Sequence, residues 1–287
     1  MSKQIKNLQN QFDDIKINIL LKFDKNNHII DFKKDEKSSF MSLYNLSQNE
    51  LTKFRRYIEN VLIKDWIKHS ISFANASIFF VFKKNENFRF CVNYRNFNAM
   101  TIKNRHSLSL ITKTLNRLND VKKFIKIDLK NVYYRIRIKQ NDEWKTTFRT
   151  RYEHFEYQIM SFELINVSTT FQIYINKILR KLVDVICVIY LNDILIYNND
   201  STQHWRHVRF VLKRLKQYEL YVNLKKCEFV IDQIEFLNFI VFIENVQMNS
   251  KKFELFKSDR DLKVIESYKC FWDSLIIIVV SFINISN

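Results

Sequence analysis

Val185-Ile-Cys-Val-Ile-Tyr-Leu-Asn-Asp-Ile-Leu-Ile-Tyr197 is the stretch on which the reading of this chain turns. Two short apolar runs, Val185 to Tyr190 and Ile194 to Tyr197, flank the break Leu191-Asn192-Asp193. β-Branched and aromatic residues favour the pleated, half-buried surface of a sheet, so two such runs around a short polar interruption predict a hairpin. Its tip carries a carboxylate, Asp193, beside a carboxamide, Asn192. Two readings stand at this point: an ordinary hairpin whose turn faces water, or a hairpin that presents an acid to a metal-bound substrate.

Upstream, Phe124-Ile-Lys-Ile-Asp128 alternates apolar and polar and ends in a second acid. Phosphoryl transfer to a nucleotide needs two divalent metals about 4 Å apart, which neutralise phosphate charge and activate the attacking hydroxyl. Such hard cations take oxygen ligands, chiefly carboxylates, and two strands that each deliver an acid side by side supply them. A lone acid at a strand end is more often a solvated cap, so Asp128 and Asp193 alone do not decide the matter.

Around these strands the pattern alternates between helix and sheet. Ser47-Gln-Asn-Glu50 is a capping box, and Leu51, Phe54, Ile58, Leu62 and Trp66 follow at helical spacing. Ile78 to Phe82 and Phe88 to Arg95 read as a hairpin with a basic flank, Lys83-Lys84. Ile111, Leu115 and Leu118 mark a short helix. Tyr134 to Lys139 alternates, which predicts a strand with Arg135 and Arg137 on one face, and Trp144 to Thr150 with Glu153 to Ile159 predicts another strand pair. Phe171, Ile175, Ile178 and Leu182 line one helix, and Trp205, Val208, Leu212 and Leu215 line a second from about Ser201 to Tyr218. Strands near Glu228 and from Phe236 to Val241 follow. Residues 1–40 read as a polar, loosely ordered lead-in, and the pattern is poor beyond Gln247.

The composition narrows the class. A chain of 287 residues that is 47% apolar builds a sizeable core in one large domain or two small ones. Its formal charge of +17 is spread along the chain and points to a polyanionic partner, nucleic acid before membrane. The four cysteines form no C-x-x-C pair, which argues against a zinc site and suits a reducing, intracellular setting, cytoplasmic or nuclear. The apolar run Leu275 to Val280 is too short to cross a bilayer. Glycine and proline are both absent, where average usage of about 7% and about 5% would give about thirty such residues.

The order and wording of these segments resemble the reverse transcriptase of Gypsy-type LTR retrotransposons. The matching stretches include Phe80-Val-Phe-Lys-Lys, Phe88-Arg-Phe-Cys-Val-Asn-Tyr-Arg, Lys126-Ile-Asp-Leu and Asp142-Glu-Trp-Lys-Thr-Thr-Phe-Arg-Thr-Arg-Tyr. They also include Thr170-Phe-Gln, Val188-Ile-Tyr-Leu-Asn-Asp-Ile-Leu-Ile-Tyr and Lys226-Cys-Glu-Phe. The resemblance runs from about residue 40 to about residue 250. It implies an α+β, right-hand polymerase, with fingers at about 41–102 and 137–166, palm at about 103–136 and 167–244, and a degenerate thumb or tail at 245–287. It implies an RNA-directed DNA polymerase that uses Mg²⁺ (two ions, or Mn²⁺), an RNA or DNA template with primer, and deoxynucleoside triphosphates. Asp128 matches the first palm acid, and Asn192 and Asp193 match the paired acids of the Tyr-x-Asp-Asp hairpin, which implies Asp128 and Asp193 as the metal ligands. Lys83 or Lys84 and Arg89 match triphosphate contacts. Tyr133 matches the residue that excludes a ribose 2′-hydroxyl, and Phe162 an aromatic under the incoming base. Phe236-Leu237-Asn238 matches the primer-holding hairpin.

Most departures from that family share one direction. Met-Pro-Phe-Gly-Leu is Met160-Ser-Phe-Glu-Leu164 here, Pro-Leu-Pro is Ser107-Leu-Ser109, and Phe-Leu-Gly is Phe236-Leu-Asn238. C-to-T and G-to-A changes produce these, and the same kind of change turns Asp-Asp into Asn192-Asp193. Val132, where the family has glycine, needs a transversion. The expectation is a mutationally silenced copy with impaired catalysis, or, as the alternative, an inactive remnant that at most binds nucleic acid. Glu163 and Asn238, at former glycines, are expected to carry backbone strain.

Overall fold

The computed structural model describes residues 27–34, 44–82, 88–105, 118, 121, 123–151, 153–198, 200–231, 233–236, 239–242 and 246–248. The first of these segments corrects the expectation of a loose lead-in. His28 bridges to Ile138 and Phe32 to Thr101. Ile30 is buried, its amide donates to Asp142 Oδ2 (3.1 Å), and its carbonyl accepts from Lys145 Nζ (2.6 Å). The short apolar run His28-Ile-Ile-Asp-Phe32 finds partners far along the chain that no local pattern reveals.

Helix α1, Gln48–Ile63, opens on the expected capping box: Glu50 N–H donates to Ser47 Oγ (3.4 Å) and Ser47 N–H to Glu50 Oε2 (2.8 Å). The helix stops before Trp66. Asp65 turns the backbone at φ 54, and Trp66 packs on Tyr134 with ring centroids 4.6 Å apart. Strand β1, Ile67–His69, follows. The hairpin of β2, Ile78–Phe82, and β3, Phe88–Val92, forms as expected, but its second strand gives way to helix α2, Arg95–Met100.

Strand β4, Lys123–Lys130, is the spine of the central sheet. After it, the alternation from Tyr134 to Lys139 is not a strand. Asn131 takes φ 53, Val132–Arg135 close a 3₁₀ turn, and the two arginines go to separate acceptors. Arg135 is buried with Nη2 donating to Glu219 Oε2 (2.9 Å), and Arg137 Nη2 donates to Gln158 Oε1 (3.0 Å). Six residues of alternation fit a strand and a turn-plus-edge equally well, and the tertiary acceptors decide. Trp144 to Thr150 departs in the same way: Glu143–Thr146 is a second 3₁₀ turn, and only β5, Phe148–Arg149, is extended. Strand β6, His154–Tyr157, pairs with β5 and β1 to give a three-stranded sheet.

Helix α3, Val167–Ile178, leads into the central hairpin of β7, Cys187–Tyr190, and β8, Asp193–Asn198. Val185, expected in the first strand, lies outside the ladder and is 69% exposed. Helix α4, Ser201–Gln217, and strands β9, Tyr221–Val222, and β10, Glu228–Ile231, follow. β10, β4, β8 and β7 lie in that order, all antiparallel, and β9 pairs with the end of β4. The run from Phe236 to Val241 is not one strand. It divides between β11, Gln233–Phe236, and β12, Phe239–Phe242, which pair with each other, and β13, Val246–Met248, pairs with β12. The helix expected around Ile111 and Leu115 and the tail beyond residue 248 lie outside the described residues.

Strand alternation sorts the central sheet into two faces. Ile125, Ile127, Leu129, Ile194, Ile196, Cys187 and Ile189 are buried, together with Phe171, Ile175 and Ile178 of α3 and Val208, Leu212 and Leu215 of α4. The helical spacing of those six residues thus packs both helices on one face. Each such side chain contributes about 1.5–3 kcal/mol by leaving water, and Ile127→Ala would cost about 2–5 kcal/mol through the cavity it leaves. Lys126, Asp128 and Asp193 fall on the other face.

Candidate active site

Asp128 and Asp193 are direct partners in the register of β4 and β8. Antiparallel partners stand about 4.5–5.5 Å apart at Cα and project to the same side, so the two carboxylates share one small patch of the face opposite α3 and α4. Asp193 was expected at the tip of the turn. It is instead the first residue of β8, paired with Tyr190 on one side and Asp128 on the other, and the loop shrinks to Leu191 and Asn192. Membership of two ladders fixes this acid far better than a turn would.

Each carboxylate has a donor from the chain itself. Asn192 Nδ2 donates to Asp128 Oδ2 (3.3 Å). Lys126, two residues before Asp128 on the same face, places Nζ 3.6 Å from Asp193 Oδ2. Burial is the largest influence on Asp193 and raises its pKa, Lys126 opposes this, and the neighbouring Asp128 adds to the rise. The oxygen donors suit a hard divalent cation, with one charge fewer than an Asp-Asp turn would give.

The turn itself is held from behind. Leu191 has φ 53, the sign that two-residue hairpin turns need at their first central residue, where glycine is the usual choice. Gln172 of α3 is buried and reaches it: Oε1 accepts from Leu191 N–H (2.8 Å), and Nε2 donates to the Ile189 carbonyl (3.3 Å). These bonds attach the turn to the helical layer. Gln172 stands in the quoted stretch Thr170-Phe-Gln, yet nothing in its local pattern separates it from any other helical glutamine.

Tyr133 and Phe162 join the same neighbourhood. Tyr133 lies in the 3₁₀ turn after β4, with its ring 5.4 Å from Phe162 and 5.4 Å from Phe171. Burial, with the nearby Asp193 charge, pushes its hydroxyl up to about 12. Phe162 is 48% exposed, an aromatic face open beside the carboxylates' neighbour. Arg89 lies on β3 opposite Val81. Phe236 is enclosed and closes the β11–β12 pair against Phe239, so it anchors that hairpin rather than facing outward. Lys83, Lys84, Leu237 and Asn238 lie outside the described residues. The structure therefore brings together Asp128, Asn192, Asp193, Tyr133 and Phe162, and adds Lys126 and Gln172.

Glu163 is not strained. It has no positive φ, Ser161 Oγ donates to its Oε2, and its carbonyl accepts from Asn98 Nδ2 (2.9 Å). Among the described residues positive φ falls on Asp65, Asn131, Asn141, Asp184, Leu191 and Glu219. Four of these are Asn or Asp, which tolerate the left-handed region best, so the cost concentrates at Leu191 and Glu219.

Residues 81–241 match the family model described as reverse transcriptase (RNA-dependent DNA polymerase). The chain belongs to the reverse transcriptase family. Members of this family use divalent metals. The retrovirus-related Pol polyprotein from transposon opus of Drosophila melanogaster is 33% identical over 202 residues, 69% of this chain and 20% of that polyprotein. The transposon Tf2-3 polyprotein of Schizosaccharomyces pombe is 34% identical over 173 residues, 60% of this chain and 13% of that polyprotein. This reverse transcriptase chain thus spans a fifth or less of the length of these relatives, which bear out the Gypsy-type resemblance. The structure of a foamy viral protease-reverse transcriptase in complex with dsDNA superposes with a TM-score of 0.69 at 17% identity, covering 97% of this chain and 58% of that one. The same viral protein in complex with RNA/DNA hybrid gives 0.67 at 16% identity, covering 95% and 39%. The fold is that of a right-hand polymerase. Among the described residues no helix is long and apolar enough to cross a membrane.

Proposed function

We propose that this chain is the RNA-directed DNA polymerase domain of a retrotransposon polyprotein, with nucleotidyl transfer weakened by Asn192. The reaction is attack of a primer 3′-hydroxyl on the α-phosphate of a deoxynucleoside triphosphate, with pyrophosphate leaving. The observation that carries this reading is the pairing of Asp128 with Asp193 on the face of the sheet opposite α3 and α4. Asp128 and Asp193 would hold Mg²⁺ or Mn²⁺, and the metals would supply charge neutralisation on phosphate and activation of the hydroxyl. Tyr133, stiffened between Phe162 and Phe171, bounds the place of the nucleotide sugar, and the exposed ring of Phe162 offers a surface to the base. Lys83, Lys84 and Arg89 take the triphosphate, and the hairpin that carries Phe236, Leu237 and Asn238 takes the primer. The fingers are residues 41–102 and 137–166, the palm 103–136 and 167–244, and residues 245–287 form a degenerate thumb or tail.

A second reading is favoured by two contacts. The Asn192 amide on Asp128 and the Lys126 ammonium on Asp193 give each carboxylate a donor without a metal. That suits a remnant that binds template–primer without extending it. Both readings require salt-sensitive binding, since phosphates held by Lys and Arg release counterions and the affinity falls steeply with salt. Binding of a template–primer duplex that stayed constant between low and moderate salt would contradict both, and primer extension on the bound duplex separates them.

A further inference from the structure

On the side of the sheet away from Asp128 and Asp193, α3 and α4 meet in a groove of about 450 Å³. Its floor is apolar around Ile178. Its rim is cationic on both walls: Lys177, Arg180 and Lys181 from the end of α3, and Lys213 and Arg214 from α4. Among the described residues no carboxylate lines it.

Helix C-termini attract cations, and one cation already does that work here. Arg214 Nε donates to the Ile178 carbonyl (2.9 Å), and Nη1 donates to Gln217 Oε1 (2.9 Å). Arg214 therefore caps α3 and ties α4 to it, so the walls keep their spacing. Arg180, Lys181 and Lys213 all lie exposed on the same rim. That exceeds what one helix end requires, and like charges gathered this closely repel unless an anion lies among them. Phe210 stands on the α4 wall, 47% exposed, with the Arg206 guanidinium 5.6 Å from its ring. Cations that track a backbone beside an exposed aromatic ring are the elements that hold a single strand.

We propose that this groove binds a single strand of nucleic acid, its phosphates along the rim and a base against Phe210. A bilayer is flat and would not reach the concave floor. An acidic helical peptide would pair with the cations but calls for aliphatic pockets rather than an exposed ring. The site is independent of the polymerase reading, because a chain that never extends a primer can still hold a strand here.

The test uses the full chain and a fluorescein-labelled oligothymidylate of about 12 nucleotides. Binding is followed by anisotropy with unlabelled template–primer duplex present at saturation. The wild type should bind the oligonucleotide beside the duplex. The triple variant Arg180→Ala, Lys181→Ala, Lys213→Ala should lose roughly tenfold or more in affinity, and its salt slope should fall by about 2, at about 0.7 per lost phosphate contact. Its affinity for the duplex should stay unchanged. Phe210→Ala should weaken oligonucleotide binding at all salts. Arg180→Lys with Lys181→Arg and Lys213→Arg should retain it. Should the triple variant not fold, Lys181→Glu alone gives the same reading. Complete displacement of the oligonucleotide by the duplex, or a folded triple variant that binds it as the wild type does, would overturn the proposal. So would a rim substitution that abolishes binding of poly-glutamate or anionic vesicles while the oligonucleotide still binds.

Discussion

The Asn192 carboxamide donates to Asp128 across 3.3 Å, from the turn residue that immediately precedes Asp128's ladder partner, Asp193. With Lys126 beside Asp193, each of the two paired carboxylates has one donor supplied by the chain, a neutral amide on Asp128 and an ammonium on Asp193. When empty, the site holds the two carboxylates against the Lys126 ammonium and the neutral Asn192 amide, with Lys226 also acting on Asp193. An aspartate at position 192 would replace a donor by a third carboxylate and make the empty site depend on cations.

Asn192→Asp should therefore lower stability without divalent metal, by about 1–3 kcal/mol for the lost donor and the added repulsion. Magnesium should restore it. Thermal melting with EDTA and with Mg²⁺ checks this: the variant's melting temperature should rise with Mg²⁺ by more than the wild type's. Equal responses would show that residue 192 does not govern the charge balance.

Lys126→Met should leave the half-buried Asp193 beside Asp128 without its ammonium, at a cost of about 1–3 kcal/mol. It should also raise the Asp193 pKa further. A carboxyl whose folded pKa lies above its unfolded value contributes stability that is complete below the unfolded value and lost as pH rises through the folded value. The loss of stability in Lys126→Met, measured by urea unfolding, should accordingly shrink on going from neutral pH to the range below the ordinary aspartate value of 3.8. A loss that is the same at every pH would mean that Lys126 acts through packing alone.

Much of this arrangement is legible in the amino-acid order, and the reasons for the remainder are physical. The Asp128 strand and the Asp193 hairpin alternate over enough residues to declare themselves. Their register is not written locally: Asp128 opposite Asp193 follows from how β4 and β8 slide against each other. Lys126 went unnoticed because it is one cation in a chain with 47 lysines and arginines. Gln172 matters through a contact 19 residues away, to Leu191. The turns at Val132–Arg135 and Glu143–Thr146 imitate strand alternation, and β1 is three residues long. Strain was expected at Glu163 and Asn238, yet φ at Glu163 is ordinary, Asn238 lies outside the described residues, and the positive values among the described residues fall elsewhere.

Backbone strain at Leu191 has a signature in the order of two variants. At ordinary φ, alanine is more stabilising than glycine by about 0.4–1 kcal/mol, because glycine leaves the unfolded chain freer. At Leu191, φ 53, the order should reverse, with Leu191→Gly about 1 kcal/mol more stable than Leu191→Ala. At Glu163 the ordinary order should hold. Chemical denaturation of the four variants decides it. Alanine above glycine at both positions would show that Leu191 is relaxed.

His28 should make the fold acid-sensitive. It is buried with Nδ1 3.0 Å from Thr170 Oγ1, and burial lowers its pKa from 6.5 to about 4 against the opposing pull of Asp142. The unfolded chain takes up a proton first, so the stability from neutral His28 is complete above about pH 6.5 and lost as pH falls to about 4. At 1.36 kcal/mol per unit the loss is about 3 kcal/mol. Urea unfolding at pH 7, 5 and 4 should show it, and His28→Gln should remove it. A variant with the wild-type acid slope would place the sensitivity elsewhere, the buried His204 being next, since burial lowers it too.

Primer extension by Asn192→Asp, with Mg²⁺ and with Mn²⁺, tests the central claim most directly. Asn and Asp are nearly the same size, so the ladder that holds Asp193 need not move, and the reversion adds one charge where phosphate charge must be met. The account predicts that extension appears or rises by at least about tenfold over the wild type with either metal, about 1.4 kcal/mol of transition-state stabilisation. Extension that stays at the wild-type level in a folded, template-bound variant would contradict it and leave a nucleic-acid-binding remnant.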